Sequence, residues 1–237
     1  DSIMKGQKMN GIATKDAKKM FNNAKTPFFN KVLENQTAAH LSEHNLGYLY
    51  KTMVSAQSSA KYIYETSKTS KSTKSYPKNP FAKQLKTTAE FINSGLETKV
   101  YYVSMGGFDT HASQSNRQSR LLKTYAEAID VFVNDLEASN SLKDTLVVTF
   151  SEFGRRVQQN AAAGTDHGAA SNLFIIGKQL KKPGFYNASP DLSNLDSNGD
   201  LKYSIDFRSV YATLLEHWLD ANHSNILGKS FKTLNFI

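Results

Sequence analysis

TLVVTFSEFGRRVQQNAAAGTDHG, residues 145–168, passes from an unbroken apolar run into a loop crowded with ionisable side chains. Residues 145–150 predict a strand, β-branched and almost continuously apolar, the pattern expected where both faces are covered. The chain then delivers Ser151, Glu152, Arg155 and Arg156, followed by Asp166 and His167, with glycines at 154, 164 and 168 allowing tight turns. A buried strand that ends in a polar cluster is the layout of α/β proteins, whose ligands gather beyond the carboxyl ends of the strands.

Working outward, the same alternation continues. NLFIIG (172–177) predicts another strand, and residues 206–220 a closing helix with Val210, Leu214, Leu215 and Trp218 on one face. Upstream, residues 115–139 predict a long helix whose apolar side carries Leu121, Leu122, Tyr125, Ile129, Phe132 and Leu136. TKVYYVSM (98–105) predicts a strand running into Gly106-Gly107, and residues 81–94 a helix stopped by Gly95. The fold class is therefore α/β, a sheet flanked by helices. Residues 13–66 predict helices: Thr14 stands as N-cap, Ala17, Met20, Phe21 and Ala24 share a face, and Pro27 ends the first. A second runs over 30–66 with a break near Asn45–Gly47. The Ser/Thr/Lys-rich segment 66–80 predicts an exposed linker. Two domains are expected: a helical, lysine-rich segment and linker (1–75) and an α/β domain (76–237).

The 237 residues include no cysteine, which rules out disulfides and thiolate metal sites. No apolar run approaches the roughly 20 residues of a membrane span. Net charge is +8, and all of the excess lies in residues 1–100, which hold 16 lysines, no arginine and 7 acidic residues. Arginine is the usual reader of phosphates and bases, so its absence there argues against nucleic acid as partner and for a solvated helical surface. Because the chain starts at Asp1, a processed chain lacking an N-terminal segment is expected.

Three polar clusters stand at strand–loop junctions. Asp109 and His111 in GGFDTH (106–111) offer one carboxylate and one imidazole; Asp166 and His167 in GTDHG (164–168) offer another such pair; Glu152 adds a third carboxylate. Carboxylate and imidazole without thiolate suit Zn, Mn, Fe or, with fewer histidines, Mg or Ca. Arg155 and Arg156 can hold the oxygens of a phosphate or sulfate in bidentate fashion. Each cluster also has a plainer role: Asp109 as a turn or cap residue, Glu152 and Arg155 as a structural ion pair. DSNGDLKYSIDF (196–207) imitates a calcium loop, but its glycine is at position four and Phe207 stands where the closing acid belongs, so a polar turn is expected.

GGFDTHASQ, VVTFSEFGRRVQQN, GTDHGAASNLFIIG and DFRSVYATLLEHWL, in this order, resemble the C-terminal half of the DUF1501 family, over roughly residues 76–237. That resemblance implies an alkaline-phosphatase/sulfatase-like α/β fold and a periplasmic or secreted bacterial protein. It places Asp109, His111 and His167 in the positions of metal ligands, with Asp166 beside them. It also puts Glu152-Phe153 where a metal-binding Asp-His pair would stand, and leaves the strand bearing the nucleophile upstream of Asp1. The implied activity is metal-dependent hydrolysis of phosphate or sulfate esters on an anionic small molecule or polysaccharide, with Glu152, Arg155 and Arg156 as catalytic groups. The alternative is a non-catalytic envelope protein that binds or scaffolds with the same fold.

Overall fold

A computed structural model of the chain describes residues 11–14, 16–27, 30–31 and 44–237, with only the backbone described over 44–51. It is a mixed α/β structure with six helices and two small two-stranded sheets among the described residues. The helices are α1 (Ala17–Asn23), α2 (His44–Ser67), α3 (Pro80–Asn93), α4 (Gln114–Ala138), α5 (Phe207–Thr213) and α6 (His223–Leu227). The strands are β1 (Val147–Thr149), β2 (Gly154–Arg155), β3 (His167–Gly168) and β4 (Phe174–Ile176). No helix among the described residues is long and apolar enough to cross a membrane.

The chain forms two compact units, Asp1–Val103 and Ser104–Ile237. Composition alone puts the boundary at 75/76. The first unit extends further because α3 packs on α2 and continues into its core. In that unit Asp16, not Thr14, caps α1, accepting the Lys19 N–H at 2.9 Å. Ala17, Phe21 and Ala24 are buried as their spacing requires, and the Phe21 ring stacks on Tyr64 of α2 at 4.4 Å. The helix α2 runs through Gly47 without a break; the segment before His44 lies outside the described residues. Helix α3 ends in a Schellman turn: Gly95 has φ +76°, the Leu96 N–H reaches the Phe91 carbonyl, and Gly95 N–H reaches Ile92. The apolar contact that accompanies this turn is present, since Phe91 and Leu96 share one buried cluster with Ala17. The polar segment after α2 is tied down by Glu90 of α3, which accepts the Ser72 N–H and pairs with Lys71 at 3.2 Å.

In the second unit α4 is the longest helix. Its buried face is Ala128, Ile129, Phe132, Asp135 and Leu136, while Leu122 of the expected apolar side stays exposed. Asn140 closes it in the left-handed region (φ +59°), with the Ser141 N–H on the Leu136 carbonyl at 2.8 Å. The strand expected over 98–105 has no partner among the described residues, and Val100 and Tyr102 are 58% and 63% exposed. Strand propensity expresses itself only where a neighbouring edge accepts the ladder. β1 pairs antiparallel with β4 in the register Val148↔Ile175, and its residues are only partly buried. The apolar run 145–150 therefore marks a short, half-covered strand of an antiparallel pair and not a strand covered on both faces. At Asp196 the side chain accepts the N–H groups of Asn198 and Asp200, and Leu195 bridges Leu201. The imitation calcium loop is a polar turn whose first carboxylate is spent on its own backbone.

Asp206 caps α5, accepting the Arg208 N–H at 2.9 Å and the Arg208 guanidinium at 2.6 Å. The Arg208 hydrogen bonds pull its carboxyl down to about 2. A depressed carboxylate stabilises the fold fully above its ordinary value, about pH 4, and loses that contribution as pH falls through the folded value. We expect Asp206→Ala to cost about 1 kcal/mol at pH 7, as for other lost caps. Chemical denaturation followed by circular dichroism should show that difference shrinking as pH falls from 4 to 2; a pH-independent difference would remove the charge from the account.

Candidate metal centre

Four segments of the second unit meet at one point. The two-residue ladder of β2 and β3 pairs Gly154 with Gly168 and Arg155 with His167. This brings the end of the SEFGRR loop against Asp166-His167. A Cβ on Gly154 would lie 1.7 Å from the Ala170 carbonyl oxygen, and one on Gly164 would lie 2.2 Å from the His111 carbonyl carbon. Glycine is required at both positions because backbone packs on backbone there.

The ladder and the Gly164 contact place His167 and His111 on either side of Asp109. One oxygen, Asp109 Oδ1, faces both rings: His167 Nε2 at 2.8 Å and His111 Nδ1 at 3.0 Å. The hydrogen bond from His167 is the main cause that holds the Asp109 carboxyl below its usual range. Partial burial opposes the shift, and the charges of His111, His167 and Arg155 add to it. The Arg155 guanidinium stands 3.7 Å from the same oxygen and is 18% exposed. Its Nη1 donates to the Thr165 carbonyl and its Nη2 to the Phe108 carbonyl, so it ties the loop before Asp109 to the loop before His167.

Carboxylate and imidazole donor atoms of Asp109, His111 and His167 all lie within 4.8 Å of one another. One carboxylate oxygen and two imidazole nitrogens form a donor set that could hold a metal ion. All three ligands are exposed, so a cation has access. The remaining residues singled out in the sequence lie around this group, outside it. Asp166 turns its carboxylate to the Asn160 amide at 3.2 Å, while its carbonyl accepts the Arg156 N–H. Arg156 pairs with Asp200 at 3.3 Å, and Glu152 is exposed on the loop.

The chain matches the family described as protein of unknown function (DUF1501) over residues 7–227. It belongs to the DUF1501 family. The match begins at residue 7 and not near 76, so the lysine-rich helices are part of the family's own chain. No curated protein and no solved structure matches the sequence.

Within this DUF1501 chain, some residues matter that the sequence did not flag. Phe153 occupies the place where a second metal's imidazole was sought. Its ring lies flat on His167, with centroids 3.9 Å apart and planes 6° apart, and the Arg155 guanidinium is 4.9 Å from the same ring. Phe153 thus fixes the plane of one ligand. Asn160 donates to the His111 carbonyl at 3.0 Å and to Asp166, while its Oδ1 accepts the Ala162 and Gly164 N–H groups. Thr110, fully buried, accepts from Gln118 of α4 at 3.0 Å and so anchors the loop between the two ligands. A loop asparagine ahead of glycine is a signal for such a turn; nothing in the pattern points to Thr110 or Gln118.

Because Gly154 touches the Ala170 carbonyl, Gly154→Ala must push β2 off its partner. We expect a loss of roughly 1–3 kcal/mol in chemical denaturation, typical of overpacking. An unchanged denaturation midpoint would show that the ladder gives way freely.

Proposed function

We propose that this protein is a metal-dependent hydrolase of phosphate or sulfate esters, acting on an anionic small molecule or polysaccharide outside the bacterial cytoplasm. Its fold is accordingly assigned to the alkaline phosphatase/sulfatase-like superfamily. The observation that supports it best is the convergence of Asp109, His111 and His167 within 4.8 Å at an accessible surface. A Zn, Mn or Fe ion held by these three would polarise the ester and make water nucleophilic near neutral pH.

The protein's own residues divide the remaining work. Asp109 stays ionised because its carboxyl is held low, which keeps a negative ligand between the two rings. Phe153 holds His167 in plane. Glu152, exposed on the same loop, is the group to take the proton from the attacking water or hydroxyl. Arg155 is committed to two carbonyls, so it positions the ligand loops and does not grip the ester. Arg156 is the guanidinium left to meet developing charge on the ester oxygens, alongside its pairing with Asp200.

Two observations favour instead a non-catalytic envelope protein that binds a polysaccharide or a partner. The Arg155 guanidinium is spent on the backbone, and Phe153 stands where a second metal's imidazole belongs. Metal content and turnover separate the two.

Protein purified without chelator should carry near-stoichiometric Zn, Mn or Fe by elemental analysis. His111→Ala and His167→Ala should each lower affinity by at least about 10-fold, the scale at which even supporting groups act. Metal-loaded wild type should then release phosphate or sulfate from chromogenic esters, and a chelator should stop it. Stoichiometric metal without turnover would favour the binding protein. Metal uptake unaffected by both substitutions would reject the site itself.

A further inference from the structure

The last thirty residues hold a second cluster of reactive side chains, separate from the metal centre. After α5 the helix widens into a π turn over Leu214–Trp218, with the Leu219 N–H on the Leu214 carbonyl at 3.0 Å. Such a turn inserts one residue, re-aims the side chains and occurs often at functional sites. Asp220 follows in the left-handed region at φ +50°, which a non-glycine residue seldom adopts. The chain then enters α6, and Gly228 (φ +77°) turns it back. The returning segment is fixed along its length. The Leu234 N–H donates to Thr213 Oγ1 at 2.8 Å, the Lys181 N–H to the Phe236 carbonyl at 3.0 Å, and the Phe231 ring lies 4.7 Å from the Arg208 guanidinium.

This path brings three side chains into line. His223 Nδ1 lies 2.8 Å from Glu216 Oε2, and the imidazole is only 15% exposed. Its Nε2 accepts the Phe231 backbone N–H at 3.4 Å, which identifies Nε2 as the unprotonated nitrogen and Nδ1 as the one donating to the carboxylate. Ser230 Oγ stands 3.5 Å from that same Nε2. A carboxylate thus orients an imidazole whose one Nε2 lone pair is shared between the Phe231 N–H and the Ser230 hydroxyl, and it serves the hydroxyl as base once the backbone contact gives way; a serine nucleophile is recognised by such geometry, not by chain order. The separation is long for a hydrogen bond, as such contacts often are before substrate binds. All three residues line one open cavity of about 310 Å³, together with Asn222. Asn222 Oδ1 is held as an acceptor by the Asn225 N–H and the Ser224 hydroxyl. Its amide hydrogens are then what Asn222 has left to offer, the kind of group that stabilises an oxyanion.

We propose that Glu216, His223 and Ser230 form a metal-independent esterase site for carboxylic esters with a small acyl group. The cavity is at the lower end of ligand-site volumes, which sets the size. Ser230 Oγ bonds to the ester carbonyl carbon while its proton passes to His223 Nε2, which gives up its contact with the Phe231 N–H. The carbon–alkoxy bond breaks, and the leaving alcohol takes that proton. Water then gives a proton to Nε2 and its hydroxyl to the acyl carbon; Ser230 Oγ departs, recovers the proton, and the carboxylic acid leaves. Glu216 faces the imidazolium throughout. Ser230 lies beyond residue 227, where the family match ends, so this activity would be a property of the present chain.

The test is hydrolysis of p-nitrophenyl acetate by the full chain in the presence of EDTA, which silences the metal centre. Wild type should turn over, and Ser230→Ala and His223→Gln should each lose at least about 100-fold in kcat/KM. A fluorophosphonate probe should form one adduct, mapped to Ser230 by peptide mass spectrometry and missing in Ser230→Ala. That substitution removes one exposed hydroxyl, so circular dichroism should match wild type. No turnover by wild type, equal turnover by Ser230→Ala, or an adduct on another residue would each overturn the assignment. Because EDTA is present throughout, these outcomes leave the metal-dependent reading untouched.

Discussion

The second unit depends on one guanidinium. Arg155 donates to the carbonyls of Phe108 and Thr165 and lies beside Asp109, so a single side chain fastens its own loop to two others, 47 and 10 residues away along the chain. Two-residue and three-residue strands cannot hold such loops through ladder bonds alone. A planar fork of donors can, because it reaches two oxygens at once and remains charged at every accessible pH. Its positive charge also compensates the aspartate that two imidazoles crowd. Position and electrostatics come from the same group.

Around that fastener, the division of labour between main chain and side chains is unusual. Backbone contact at Gly154 and Gly164 sets where His111 and His167 stand, and a stacked phenyl ring sets how one of them is turned. The opening loop holds so many ionisable groups because they do different jobs. His167 aims inward, toward Asp109 from another loop, while Arg155 braces, and Asp166 and Arg156 face other partners.

Much of this was legible in the chain. Helices α3 and α4 announce themselves by apolar spacing and by Gly95, and β1 and β4 by short β-branched runs, because local propensity and burial agree there. Asp109, His111 and His167 were legible because the chain twice sets an imidazole close behind an aspartate, two residues on at His111 and one at His167, which offers carboxylate and imidazole donors together. What the sequence hides is pairing. TKVYYVSM has every local mark of a strand, yet a strand exists only if a second edge is offered, and sequence does not say where edges are. The roles of Phe153 and Arg155 are hidden for the same reason: a phenyl ring becomes a ligand support, and a guanidinium a brace, only through groups tens of residues away. Asp166 was read with the ligands for being adjacent to His167, but neighbours in an extended chain point to opposite sides.

The distance along the chain between Asp109 and His167, 58 residues, carries a consequence for how the molecule comes into being. Helix α4 lies wholly within that interval and needs only neighbours to form. The centre needs the whole interval closed, and closure entropy is charged before any of its bonds are made. During refolding, then, helical signal should return before the two imidazoles meet. The late partners are also exposed carboxylate and imidazole groups, so solvent reaches them before the interval closes as well as after.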